Sequence, residues 1–175
     1  MGSRKRGFTL IELLIVVAIV GILTALLIPN AMNAIQKAKI RGTQQDMTHI
    51  AKGCIDYLTD RNVLPPNSGP IGDELKSALS PTYIKAIALT DQWETPFRVF
   101  TGDRVNGVYG VSGAAESDFL IASYGRDKAV ESWTYDPAVP EGGLYLIRSL
   151  SDFGKDIVNY NGQMIRGPRA GVSGS

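Results

Sequence analysis

Few residues in this sequence have the chemistry to act, and one of them stands in unusual surroundings. Glu12 lies in "RKRGFTLIELLIVVAIVGILTALLIPN" (Arg4 to Asn30). Between Phe8 and Ile28 it is the only charge, and Thr9 and Thr24 are the only other polar side chains. A carboxylate in a membrane-spanning helix costs on the order of 2.5–3.5 kcal/mol at mid-membrane and less near the interface, so Glu12 calls for a partner. The other candidates are sparse. The sole histidine, His49, cannot build a multi-histidine metal site and has no nucleophile beside it. The sole cysteine, Cys54, excludes an intramolecular disulfide and a cysteine-rich zinc cluster, and reads as a small apolar residue on a helix face. There is no Gly-x-Ser-x-Gly elbow, no phosphate loop and no His-Glu-x-x-His pair. Asp91 and Glu94 flank Trp93, but acids three apart in a turn read as solvated or capping groups rather than a catalytic pair. No catalytic residue is assigned, the chain is not expected to be an enzyme, and no cofactor is required. The net charge of +1 gives no global steering, and Arg166 and Arg169 are too few for a basic stripe, so no nucleic-acid partner is expected.

The elements that must carry these residues follow from patterning. The 175-residue chain fits one domain plus an extension. As a helix, the apolar run is roughly 30 Å long, enough to cross a bilayer's hydrocarbon layer. Arg4, Lys5 and Arg6 just before it place the N-terminus in the cytoplasm and the rest of the chain across the membrane. A cleaved secretory signal has a shorter core and a small-x-small site, whereas Ile28-Pro29-Asn30 is a poor one. A plain anchor leaves Glu12 unexplained. Beyond Pro29, apolar residues recur at Ala31, Ala34, Ile35 and Ala38, then at Met47, Ile50, Ala51, Cys54, Ile55 and Leu58. That spacing predicts a continuing amphipathic helix, kinked or locally unravelled at Pro29 and weakened at Gly42. Its first half needs lipid or sibling helices, and its second half is expected under a sheet.

The helix should break at Asn62 to Pro70, with a short helix over Asp73 to Leu79. Strands are expected at Phe97 to Phe100, Val105 to Val111 and Phe119 to Ser123. Asp156 to Arg166 reads as a hairpin turning at Asn161-Gly162, and Gly167 to Ser175 as a loose tail. The expected class is α+β: a long N-terminal helix packed by its second half against a small antiparallel sheet of three to five strands.

Gly7-Phe8-Thr9-Leu10-Ile11-Glu12-Leu13 after a short basic leader resembles the N-terminal signature of type IV pilins and type II secretion pseudopilins. Two later stretches resemble the major pseudopilins. One is Pro81 to Phe100, with Asp91, Trp93, Pro96 and Phe97 in an Asp-x-Trp-x-x-Pro-aromatic turn. The other is Asp118 to Asp127, a strand followed by a Ser-x-Gly-x-Asp corner. The single cysteine also fits that group better than pilins that close a C-terminal disulfide loop.

The resemblance implies a pilin-like fold and a prepilin peptidase that cuts after Gly7 and methylates the new amino terminus of Phe8. Residues 1–7 would be the leader, 8–29 a transmembrane and filament-core helix, 30–62 its amphipathic continuation, 63–166 the globular domain and 167–175 the tail. The ammonium on Phe8 of one subunit would then pair with Glu12 of a neighbour, which sets register more surely than it adds stability.

By the same resemblance the chain is a homo-polymer served by an inner-membrane assembly platform and a motor. It begins as a single-pass inner-membrane protein with a periplasmic domain, and ends in a periplasmic secretion pseudopilus or an extracellular pilus. A membrane-tethered periplasmic binding or enzyme domain is the rival class. The resemblance also implies Ca²⁺ near Asp127 and Asp156, with Glu131, Ser132, Asp136 and Asp152 as further oxygen donors. The stretch Lys128 to Ser151 departs from that pattern by its length and by the positive charge of Lys128.

Overall fold

The computed structural model describes residues 8–169. Helix α1 spans Leu10–Arg61, with acidic Glu12 in its first turn and basic Arg61 in its last, each favourable to the helix dipole. It stops where Asn62 takes a left-handed φ of 64° and donates its N–H to the Leu58 carbonyl at 2.8 Å. Every residue through Pro29 and Gly42 is helical, contrary to the expected unravelling. Proline forfeits a single backbone donor, and the helix continues through the turns on either side. The Thr24 hydroxyl is satisfied locally, donating to the Val20 carbonyl at 2.7 Å.

The chain separates into two compact units, Met1–Lys37 and Ala38–Ser175. In the first, no described residue is buried. In the second, α1 buries Ile40, Thr43, Met47, Ile50, Ala51, Gly53 and Cys54, a face made by steps of three and four. Ile55, expected on that face, is 43% exposed, and Leu58 is half-buried. Gly53 permits the closest approach: a Cβ there would lie 2.4 Å from Cγ1 of Ile84.

After α1 come β1 (Ser68–Pro70), α2 (Asp73–Leu79), β2 (Arg98–Thr101), β3 (Phe119–Ser123), β4 (Leu144–Tyr145), β5 (Ile157–Tyr160) and β6 (Gln163–Pro168). They form a sheet of six strands in the order β1-β2-β3-β5-β6-β4. All pairings are antiparallel except β4 with β6. Two of the strands, β1 and β4, are absent from the sequence expectation, and the parallel pair makes the sheet mixed. Strand β3 is buried along its whole length, which explains its unbroken apolar run. Phe119 and Ile121 join the cluster with Met47, Ile50, Trp93, Phe97 and Phe153, whereas Leu120 and Ala122 join one with Val105, Tyr109, Val158 and Ile165.

The strand expected at Val105 to Val111 is instead a pair of 3₁₀ turns, Gly102–Val105 and Val108–Gly110. Gly107, Tyr109 and Gly110 have φ of 85°, 49° and 74°, incompatible with a ladder. The hairpin turns at Asn161-Gly162 as expected, with φ of 50° and 85°, the left-handed pair of a type I′ turn. Asp118 pins it, accepting from Nδ2 of Asn161 and from the Tyr160 hydroxyl, both at 2.8 Å. Gly167 and Pro168 belong to β6 rather than to a loose tail, and the Arg169 N–H donates to the Tyr145 carbonyl at 2.9 Å. Gly7, the leader and residues 170–175 lie outside the described residues.

Candidate functional site

Glu12 sits one turn into α1 and is engaged by its own helix. Its Oε2 accepts from the Thr9 N–H and the Thr9 hydroxyl, each at 2.8 Å, while the Glu12 N–H donates to Oγ1 of Thr9 at 3.3 Å. This reciprocal arrangement is a capping box, Thr-x-x-Glu, which satisfies backbone donors that a helix start leaves open. The site reading missed Thr9, although the spacing of Thr9 and Glu12 at the head of an apolar run is its sequence signature. Oε1 of Glu12 has no partner among the described residues, so one oxygen remains for an outside cation. Phe8, whose amino group is the expected cation, is 73% exposed. Around them Leu10, Ile11, Leu13, Leu14 and Val17 are all more than half exposed, a greasy surface that no described residue covers.

The two later stretches of resemblance meet in space. Asp91 is 4% exposed, and its Oδ1 accepts from the Trp93 and Thr95 N–H groups at 2.9 Å each. Its Oδ2 accepts from the Ser123 hydroxyl at 2.7 Å, which ties the tryptophan turn to the end of β3. Trp93 is buried in the main cluster, so Asp91 and Trp93 are structural anchors rather than a ligand platform. The corner after Ser123 needs glycine: Gly125 has φ of 65°, and a Cβ would lie 2.8 Å from the Lys155 carbonyl oxygen.

The acids named as cation ligands are dispersed among other tasks. Asp127 is exposed, and its Oδ1 accepts from the Ala129 N–H at 3.1 Å. Asp136 caps Ala138 in the same way at 2.9 Å. Asp152 closes a capping box with Ser149 and takes Nζ of Lys155 at 2.7 Å, contacts that hold its carboxyl well below the usual range against the cost of burial. Both oxygens of Glu131 are taken by Arg166.

Asp156 is fully buried. Its Oδ2 accepts from the Tyr109 hydroxyl at 2.5 Å and from the Glu131 N–H at 2.9 Å, and its Oδ1 has no partner. Burial pushes its pKa up to about 6, with Glu131 and Asp127 adding to the rise and the two donors opposing it. Among the described residues no three His, Cys, Asp or Glu side chains group closely enough to hold a metal.

Residues 2–28 match the family described as the prokaryotic N-terminal methylation motif. The type II secretion system core protein G of Pseudomonas aeruginosa is 31% identical over 104 residues, which cover 54% of this chain and 72% of that protein. This chain belongs to the core protein G family. The protein of that name from Dickeya chrysanthemi is 26% identical over 137 residues, covering 71% of this chain and 89% of the relative. The type IV major pilin protein PilE of Neisseria gonorrhoeae is 32% identical over 91 residues, covering 50% of this chain and 52% of the pilin. No solved structure matches the chain significantly. Membership of the core protein G family makes this chain a structural filament subunit of the pilin and pseudopilin type.

Proposed function

We propose that this chain is the major subunit of a type II secretion pseudopilus, assembled by packing the apolar half of α1 against its copies. The supporting observation is one helix segment, all apolar and uncovered, with a single carboxylate that keeps one oxygen free. Such a surface is stable only in lipid or among sibling helices. Cleavage after Gly7 by a prepilin peptidase releases the amino terminus of Phe8, and methylation preserves its charge. That cation pairs with Oε1 of Glu12 in a neighbouring subunit. Before assembly Thr9 shares the burden of Glu12, which lowers the cost of holding it in a membrane, and the amine completes the neutralisation. The basic residues Arg4, Lys5 and Arg6 orient the helix in the inner membrane with the folded unit on the periplasmic side. The role is mechanical rather than enzymatic and needs no cofactor. Similarity to a gonococcal pilin over half of the chain supports the second reading, an extracellular pilus.

Glu12→Ala tests the pairing. Filaments disappear while membrane insertion and the fold of residues 38–169 persist; filaments of normal yield from this variant would rule the pairing out. Gly7 replaced by a bulky residue leaves an uncut precursor in the membrane. Sheared material then separates the two fibres: long extracellular filaments of this chain identify a pilus, whereas their absence together with a secretion defect on deletion identifies the pseudopilus.

A further inference from the structure

Residues 128–151 hold a long excursion of the chain between β3 and β5, and a single side chain gathers it. Arg166, on β6, is 7% exposed. Its Nε donates to Oε2 of Glu131 at 2.8 Å and its Nη2 to Oε1 of the same carboxylate at 2.5 Å, a two-pronged fork. Nη1 donates to the Gly143 carbonyl at 3.4 Å. The guanidinium carbon lies 4.9 Å from the centre of the Trp133 ring and 5.4 Å from that of Tyr145. The excursion is drawn tight around this group. A Cβ at Gly143 would fall 2.0 Å from the Ile165 carbonyl oxygen and 2.6 Å from Cζ2 of Trp133, so only glycine passes there.

A calcium ion takes six to eight oxygen ligands. The acids of this region offer far fewer: Oδ1 of Asp156 and Oδ2 of Asp127 and of Asp136 are open, while Glu131 and Asp152 are committed as described. Glu131 links the two settings, because its N–H donates to Asp156 while its carboxylate takes the arginine. A divalent ion that recruited Glu131 would draw it from Arg166 and leave a buried guanidinium unpaired, which is strongly unfavourable.

We infer that Arg166 is the built-in cation of this excursion, doing for Glu131, Trp133, Gly143 and Tyr145 what a bound metal would do, and that the fold of residues 128–151 is therefore independent of calcium. Lysine cannot replace it, since a point charge does not fork across both oxygens of Glu131 while lying against the Trp133 and Tyr145 rings. The inference concerns the fold alone and stands whether the filament is a pilus or a pseudopilus.

The test uses the full chain in detergent micelles, followed by thermal unfolding and by limited trypsin cleavage at Lys128 and Arg148. The wild type unfolds at the same temperature with millimolar calcium or with excess EDTA. Arg166→Lys is cleaved about tenfold faster in the excursion, while the rest of the unit survives the digestion. Glu131→Gln, which keeps the arginine but removes its counter-charge, shows a smaller acceleration in the same place, and calcium slows neither variant. A wild-type chain that gains thermal stability with calcium, or loses it with EDTA, overturns the inference. So does an Arg166→Lys protein cleaved at the wild-type rate.

Discussion

Leu14 and Phe119 are both large apolar residues, yet Leu14 is 61% exposed in the first unit and Phe119 is 1% exposed in the second. The contrast holds throughout. Residues 8–37 bury nothing, while residues 38–169 build two clusters on opposite faces of β3. One unit meets its hydrophobic requirement within its own chain, and the other leaves that requirement open for a bilayer or for copies of itself. Apolar composition alone is therefore no guide to where a residue adds stability; what matters is whether its own chain supplies the neighbours.

The largest expected effect probes this contrast directly. Phe119→Ala should cost the folded unit about 3–5 kcal/mol, because it leaves a cavity between α1 and the sheet. Leu14→Ala should leave that stability unchanged and lower filament yield instead. Denaturant unfolding in detergent, run beside a filament assay, reads both. Equal losses of stability would erase the distinction between the units.

The next effect contrasts two buried carboxyls whose pKa values move in opposite directions, Asp156 and Asp152. The folded pKa of Asp156, about 6, lies above its ordinary 3.8, so the folded state holds the extra proton between them. Its contribution is fully present below the lower value and is lost as pH rises through the upper one, a fall of roughly 3 kcal/mol. Asp152 runs the other way: its depressed pKa contributes stability at neutral pH that is lost in acid. Unfolding free energy should therefore decline between about pH 4 and pH 7, and Asp156→Asn should flatten that slope. The smallest effect returns to the first unit. Thr9→Ala removes one cap, worth about 1 kcal/mol of local helix stability. Hydrogen exchange of the first-turn amides should quicken while the amides of β3 stay unchanged.

Much of this was legible in the residues. The Asn161-Gly162 hairpin depends on two left-handed residues and needs no distant partner, and β3 announces a central strand through five successive buried side chains. The greasy helix with its lone acid marked by composition the segment proposed to carry assembly. What escaped depends on contacts distant in sequence. Strand β4 has two residues and exists because β6 lies beside it, and β1 has three, held at its start by Asn67, whose Nδ2 reaches the Val99 carbonyl at 2.6 Å. No local pattern marks Arg166 as the partner of Glu131, thirty-five positions earlier. Val105 to Val111 misled because its β-branched residues advertise a strand while Gly107 and Gly110 break the ladder.

Strand β6 follows the other described strands in synthesis and bonds to both β5 and β4, so the edge of the sheet stays unfinished until residues 163–168 are available. A nascent chain lacking them would carry an unmatched β5 edge and a Trp133 without the Arg166 guanidinium beside it.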